Sequence, residues 1–209
     1  MISTRELLVM LALLVAATVA SYIEPFDRLT WWMESLPVFI GLPIIWATRQ
    51  RFPLTRLVYY LLFLHGLFLL LGAHYTYAHV PLGFWLQDWF DFSRNNYDRL
   101  GHVAQGFVPA LVARELFIRL HIINGRIWRA FLVVCFCLAF SAFYELIEWW
   151  VAVFYGDGSI EFLGTQGDVW DAQWDMMLAL LGAIAALLLL GRSHDRQIGR
   201  LQRGIACAR

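Results

Sequence analysis

The amino-acid sequence predicts an all-α, polytopic transmembrane helix bundle with about six spans and both termini in the cytoplasm. Sixty per cent of its 209 residues are hydrophobic and the mean hydropathy is +0.61, more than a soluble domain of this length needs for its core. Runs such as Leu7–Ala20 and Leu178–Leu190 approach the roughly 20 apolar residues that cross a bilayer. We therefore expect one integral membrane domain over residues 1–209, ending in an Arg-rich cytoplasmic tail over 191–209.

Six segments have the composition of helical spans. The first also resembles a secretory signal peptide, but we expect it to be retained because further spans follow directly. The second contains Pro37 and Pro43, each of which removes a helical hydrogen-bond donor and favours a kink. The fourth is the least apolar and has to be shielded by its neighbours. The predicted spans are Arg5–Tyr22, Trp31–Thr48, Thr55–His79, Tyr97–Leu120, Gly125–Tyr155 and Asp168–Gly191.

The distribution of arginine orients the bundle. The sixteen basic residues are all arginine. All except Arg28, Arg94 and Arg99 lie at the ends of the predicted spans that face one side of the membrane. Because cytoplasmic connections are enriched in basic residues, we expect a multi-pass protein of the bacterial inner membrane with both termini inside. The net charge of zero gives no basic surface for nucleic acid. Membrane lipids are the partners that this composition predicts.

Polar residues are concentrated at the outward ends of four predicted spans. An ionisable side chain inside a span is costly and usually has both a partner and a function. Ionisable side chains that four helices place at the same depth in the membrane therefore indicate a functional site. By contrast, we interpret His65, in the middle of the third span, as a hydrogen-bonded core residue. The residues at the outward ends are His74, Asp98, His102, Gln105, Glu145, Glu148, Asp168, Asp171 and Asp175.

The spacing of these residues suits a metal centre. Pairs three or four residues apart share one face of a helix, and carboxylate-rich helix bundles hold metals in this way. Mixed imidazole and carboxylate ligands suit zinc, iron or manganese, whereas oxygen ligands alone suit magnesium. The candidate catalytic groups are Glu145 and Glu148 as base and His102 as ligand or acid. The candidate metal ligands are His74, Asp98, His102, Glu145, Asp171 and Asp175.

A metal-free network is an equally open interpretation. Asp168 and Asp171 can cap the sixth span, where acidic groups favour the positive end of the helix dipole. A histidine can simply be hydrogen-bonded to one acid in the core. Two carboxylates inside one span are harder to explain, because they repel each other unless one binds a proton, an arginine or a metal. Arg94 and Arg99 are available as partners.

Three segments resemble the YjdF family of bacterial inner-membrane proteins, and the resemblance extends over the whole chain. They run from Arg94 to His102 (RNNYDRLGH), from Ala142 to Glu148 (AFYELIE) and from Gly164 to Asp175 (GTQGDVWDAQWD). The resemblance implies a multi-pass inner-membrane protein and assigns no activity.

A more distant resemblance, from about His74 to Gly191, is to VanZ-like membrane proteins. Their pattern is Asp-Lys-x-x-His, then Glu-x-x-Gln, then Asp-x-x-x-Asn on successive helices. Asp98, His102, Glu145 and Asp171 match it. Glu148 replaces the glutamine and Asp175 replaces the asparagine, so this site is more acidic than the pattern.

Three classes of function fit these observations. An outward-facing enzyme, which would be metal-dependent if the candidate ligands bind an ion, would act on a lipid or envelope molecule. A carrier would use the same acids for protons or cations, but needs a polar path inward that the fifth and sixth spans do not offer. A structural or partner-binding membrane protein would need the acids only for packing.

Overall fold

The computed structural model describes residues 2–156, 160–163 and 165–207, and every regular element within those ranges is helical. Tyr77–His79 forms a short 3₁₀ turn. The α-helices are α1 (Thr4–Tyr22), α2 (Arg28–Thr48), α3 (Arg56–Tyr75), α4 (Pro81–Phe90), α5 (Tyr97–Arg119), α6 (Arg126–Tyr155), α7 (Ile160–Leu163) and α8 (Asp171–Cys207).

Five of these helices, α1, α2, α3, α6 and α8, are long and apolar enough to cross a membrane. The prediction of an all-helical membrane bundle is therefore confirmed. Helix α5 is long enough as well, but it carries charged residues at both ends and falls outside this set. The sixth span and the orientation of the termini stay predictions.

Helix α5 lies at the centre of the bundle and contacts α3, α6 and α8. Its closest partner is α8, and glycines bring the two backbones together. A Cβ atom at Gly106 would collide with the carbonyl oxygen of Ala179, and one at Gly182 would collide with that of Val103. Small residues are the usual means of close helix packing in membranes, where lipid supplies no hydrophobic driving force between helices. Helices α1 and α2 pack on the far side of α3.

Several helix boundaries differ from the predicted ones, and helix α4 was not predicted. Helix α3 ends at Tyr75 rather than His79, because Thr76 has a positive φ of 54°. The connection after it contains α4, which starts with Pro81 at a position where a missing N–H costs nothing. The outward residues of α4 include Trp85 and Trp89, which are 58% and 76% exposed, as in a helix lying in the membrane interface. Helix α8 continues past Gly191 to Cys207.

A buried polar network joins α5 and α8 at the end of the bundle where most of the arginines lie, which we call the Arg-rich end. Glu115 is fully buried and accepts hydrogen bonds from Arg119, from Thr55 and from Nε2 of His194, at 2.7–3.1 Å. Arg114 pairs with Asp195 at 2.6 Å. Because the buried carboxylate has several donors, its burial is compensated. The segment that we expected to be a tail is thus attached to the bundle along its first turns.

Candidate functional site

Asp98, His102 and Asp175 come together at the other end of α5. Asp98 and His102 lie one turn apart on α5, and Asp175 lies one turn into α8. Nε2 of His102 is 3.6 Å from Oδ1 of Asp98 and 3.7 Å from Oδ2 of Asp175. One potential ligand atom from each residue lies within 4.8 Å of the other two. We call these three residues the triad.

The triad has the dimensions of a metal centre. Ligands held at about 2.0–2.2 Å in tetrahedral geometry lie roughly 3.3–3.6 Å from one another, close to the distances that His102 makes. The side chains of His102 and Asp175 are 9% and 3% exposed. Oδ1 of Asp175 and Nδ1 of His102 are buried and have no hydrogen-bond partner among the described residues. Such orphaned groups are costly unless something binds them; Oδ1 of Asp175 belongs to the triad, whereas Nδ1 of His102 is the ring nitrogen that does not face the two aspartates.

Glu145 and Glu148 on α6 add two further carboxyl groups beside the triad. Glu145 interacts electrostatically with His102 and Asp98, and Glu148 interacts with Glu145 and Asp98. Oε1 of Glu145 is buried without a hydrogen-bond partner among the described residues. Neither glutamate has an ion pair within the described chain. The site therefore holds an excess of negative charge that only protons or a cation can balance.

Glu34 on α2 belongs to the same region, and the sequence analysis missed it. It is 3% exposed, and its Oε2 is buried without a partner among the described residues. The backbone of Tyr77 donates a hydrogen bond to it, and Asp98 is the charged group that affects it most strongly. The predicted second span began only at Trp31, which placed Glu34 in its first turn. The start of α2 at Arg28, capped by Asp27, places Glu34 nearly two turns inside the helix.

Asp168 and Asp171 form ion pairs instead of joining the triad. Nη1 of Arg94 is 2.5 Å from Oδ1 of Asp171, and Nη2 of Arg99 is 2.6 Å from Oδ2 of Asp168. Arg94 also donates to the carbonyl oxygen of Thr165 at 3.0 Å. These contacts hold the segment before α8 against the start of α5. Of the two acids on the first turns of α8, only Asp175 lies in the triad.

His74 does not lie with the other candidate ligands. Its Nδ1 is 3.1 Å from the carbonyl oxygen of Ser21 on α1, and its ring contacts Tyr75 edge-on. Helix α3 brings His74 to the expected depth, but the side of the helix on which it lies faces α1 rather than α5. Gln105, one turn below His102, does line the site, and its Oε1 is buried without a partner within the described chain.

An apolar cavity of about 260 Å³ opens from these acids into the bundle. Glu34, Asp98, His102 and Glu148 line its polar end. The remainder is formed mainly by apolar side chains of α1, α2 and α3, and the cavity reaches Trp46 and Arg49 at the Arg-rich end of α2. The acid site therefore communicates with a long apolar space at the level of the membrane.

Comparison with known proteins agrees with the membrane fold. A family model described as "Predicted membrane protein (DUF2238)" matches residues 6–196. The inner membrane protein YjdF of Escherichia coli strain K12 is 54% identical over 178 residues, which cover 85% of each chain. No solved structure matches this chain. The resemblance drawn from the three sequence segments is confirmed, and with it the prediction of a multi-pass membrane protein.

Proposed function

The chain belongs to the DUF2238 family of membrane proteins, and we propose that it is a metal-dependent enzyme of the bacterial inner membrane. Its site faces the outer leaflet and acts on a lipid or another envelope molecule. The observation that carries this proposal is the triad of Asp98, His102 and Asp175, whose ligand atoms lie within 4.8 Å of one another. The unpartnered oxygens of Asp175 and Glu145 support it.

Three protein ligands leave a coordination position for water or substrate, as in catalytic zinc sites. A bound metal would supply Lewis acidity there. Glu145 lies beside His102 without an ion-pair partner and is the group best placed to accept a proton from a nucleophile. Glu148 extends the negative surface into the cavity, where it can orient the polar part of a substrate. Zinc, manganese and iron suit the mixed ligand set, and magnesium is the less favoured alternative.

Elemental analysis tests the metal directly. Protein purified in mild detergent without chelator should carry about one equivalent of zinc, manganese, iron or magnesium, as expected for a single three-ligand site. His102→Ala and Asp175→Asn should lose that metal, whereas Asp88→Asn, which removes an exposed acid on α4, should retain it. A folded wild-type protein with no more metal than His102→Ala would overturn the proposal.

A proton or cation carrier is the second candidate, because the cavity extends from the acids as far as Arg49. A carrier has to move charge across the membrane, so proteoliposomes containing it should acidify or take up cations when a gradient is applied. Its transport should depend on Glu34 and Glu148, which line the cavity. Metal binding at the triad without any flux would favour the enzyme.

A further inference from the structure

The void between α1, α2, α3 and α5 is too large to be left empty. Protein interiors contain few spaces larger than a water molecule, and this cavity has a volume of about 260 Å³. Leu11, Leu14, Leu42, Ile45 and Phe63 are among its lining residues. Water gains no hydrogen bonds against such walls, so the physical occupant is hydrocarbon.

The cavity is long relative to its volume. Its lining extends along α2 from Glu34 to Arg49, which at 1.5 Å per residue is about 22 Å. A space of that length and volume is narrow and fits one extended hydrocarbon chain rather than a wide ring system. Helices α1 and α2 both pack on α3 and touch each other at their outer ends, where the indole of Trp31 donates a hydrogen bond to Ser21; further inward, Leu11 and Ile45 line the cavity between them. The gap between them offers a lipid chain a lateral entrance from the bilayer.

Two polar side chains lie among the apolar walls of the cavity, at about the same depth in the membrane. Nε2 of His65 on α3 and Oε1 of Gln105 on α5 are buried without hydrogen-bond partners among the described residues, and both side chains line the cavity. The interpretation of His65 as a hydrogen-bonded core residue is therefore wrong. Gln105 lies three residues beyond His102, about 4.5 Å further from the acidic end. A polar group of the occupant at this depth would satisfy both side chains.

We propose that the cavity binds one acyl chain of a glycerophospholipid, with the ester carbonyl beside His65 and Gln105 and the headgroup at the triad. This assignment rests on the proposed function, because it names the substrate class of the same site. The glycerol unit separates phosphate from ester by a few ångströms, which is the separation between His102 and Gln105 along α5. His65 can donate from Nε2 to the ester oxygen, and the amide of Gln105 can donate in its flipped orientation.

Photocrosslinking tests where the chain lies. The probe is phosphatidylethanolamine, whose ammonium group suits the acidic site, with a diazirine near the end of one acyl chain, incorporated in vesicles with the full-length protein. Wild-type protein should be labelled on cavity residues such as Leu11 and Ile45. Labelling confined to outward-facing residues such as Leu188, which is 78% exposed, would overturn the proposal.

Gly41 provides a variant that closes the cavity without disturbing the fold. It lines the cavity, and a Cβ atom there would meet nothing within 4 Å. Gly41→Phe should reduce labelling of cavity residues at least fivefold and leave the metal content of the triad unchanged. Leu188→Phe is the control for an added ring, since Leu188 is 78% exposed and lies on α8 away from the cavity. Equal labelling of all three proteins would contradict the assignment.

The ester contact has its own test. A diether analogue of the probe lacks the carbonyl oxygen, so wild-type protein should be labelled about threefold less by it, as expected for the loss of one hydrogen bond. His65→Phe should abolish that preference. Stronger labelling by a polyprenyl phosphate probe would overturn the glycerophospholipid assignment. Wild-type protein that is labelled at cavity residues but carries no metal as purified without chelator would refute the metal-dependent enzyme but not the chain site.

Discussion

At the scale of single residues, two aspartates one turn apart on α8 have opposite surroundings. Oδ1 of Asp171 forms an ion pair with Nη1 of Arg94 at 2.5 Å, and both side chains are under 10% exposed. Asp175 faces His102 at 3.7 Å and has no arginine ion pair among the described residues, and one of its oxygens has no hydrogen-bond partner there. A buried pair stabilises its own charges, whereas an unpaired buried charge has to bind something. This difference separates the structural acid from the candidate ligand.

Arg94→Gln should be strongly destabilising, because it leaves Asp171 buried without its cation. The expected loss in free energy of unfolding is about 3–5 kcal/mol, measured as thermal stability in detergent. The double variant Arg94→Gln/Asp171→Asn should recover part of it. Arg56→Gln is the control: Arg56 pairs with Glu6 at the same 2.5 Å but is 57% exposed, so its loss should cost less than about 1 kcal/mol. Equal losses in the free energy of unfolding for Arg94→Gln and Arg56→Gln would show that burial does not determine how much the Arg94–Asp171 pair stabilises the protein.

Glu145→Gln and Glu148→Gln should separate function from packing. The amide keeps the size of the side chain and removes its charge. If Glu145 is the base beside the triad, Glu145→Gln should abolish turnover of lipid, or weaken metal binding, while the melting temperature stays the same or rises because carboxylate repulsion is relieved. Position 148 should tolerate the amide better. A sharp fall in stability for Glu145→Gln would instead identify a structural partner, and indifference at both positions would leave only a packing role.

At the scale of elements, the arrangement of α5 and α8 determines the site. Each helix contributes to the triad at one end and to the Glu115 network at the other. Between these ends the backbones meet at Gly106 and Gly182. The crossing fixes the register of the two helices, and the polar groups at both ends depend on that register.

Gly106→Ala should therefore destabilise the protein and loosen the triad. The added methyl group would collide with the carbonyl oxygen of Ala179, and overpacking of this kind costs about 1–3 kcal/mol. Gly191→Ala, with nothing within 4 Å of the added atom, should be neutral or slightly stabilising because alanine favours helices. Thermal unfolding in detergent measures both. A wild-type melting temperature for Gly106→Ala would mean that the helices can separate without penalty.

The helices and the depth of the acids could be predicted from the sequence, but the direction of each side chain could not. Hydropathy and arginine placement determine which segments span, so Asp98, His102 and Asp175 were expected at one level. Depth does not determine which neighbour a helix face meets, and His74 faces α1. Asp171 was expected as a ligand because spacing cannot show that the segment before α8 lies against Arg94. Glu34 was missed because its helix begins earlier than its apolar run.

At the scale of the whole molecule, the described residues place the Glu115 network at one end of the bundle and the unpaired acids, with the Arg94 and Arg99 ion pairs beside them, at the other. Glu115, Arg119 and His194 lie at the first end. Helix α5 connects the two, and Asp98 and Glu115 lie about 25 Å apart along it by helix rise. If arginine marks the cytoplasmic side, the acids face the outer leaflet.

Reporter fusions test this orientation. A fluorescent protein fused to the C-terminus should fluoresce, and alkaline phosphatase fused there should be inactive, because both report a cytoplasmic end. Phosphatase inserted after Asp91, in the connection between α4 and α5, should be active. Phosphatase activity at the C-terminus would reverse the bundle and place the acid site on the cytoplasmic side.

The glycine crossing between α5 and α8 has a consequence for biosynthesis. Helix α5 is too polar to be stable alone among lipids, yet the ribosome completes it about 50 residues before α8 begins. Until α8 emerges, α5 lacks the surface that Gly106 contacts and has to wait at the translocon or beside α3. A chain interrupted before Asp171 would therefore present a charged, unshielded helix, which is a target for membrane quality-control proteases. The packing of α5 is therefore complete only once α8 has been made.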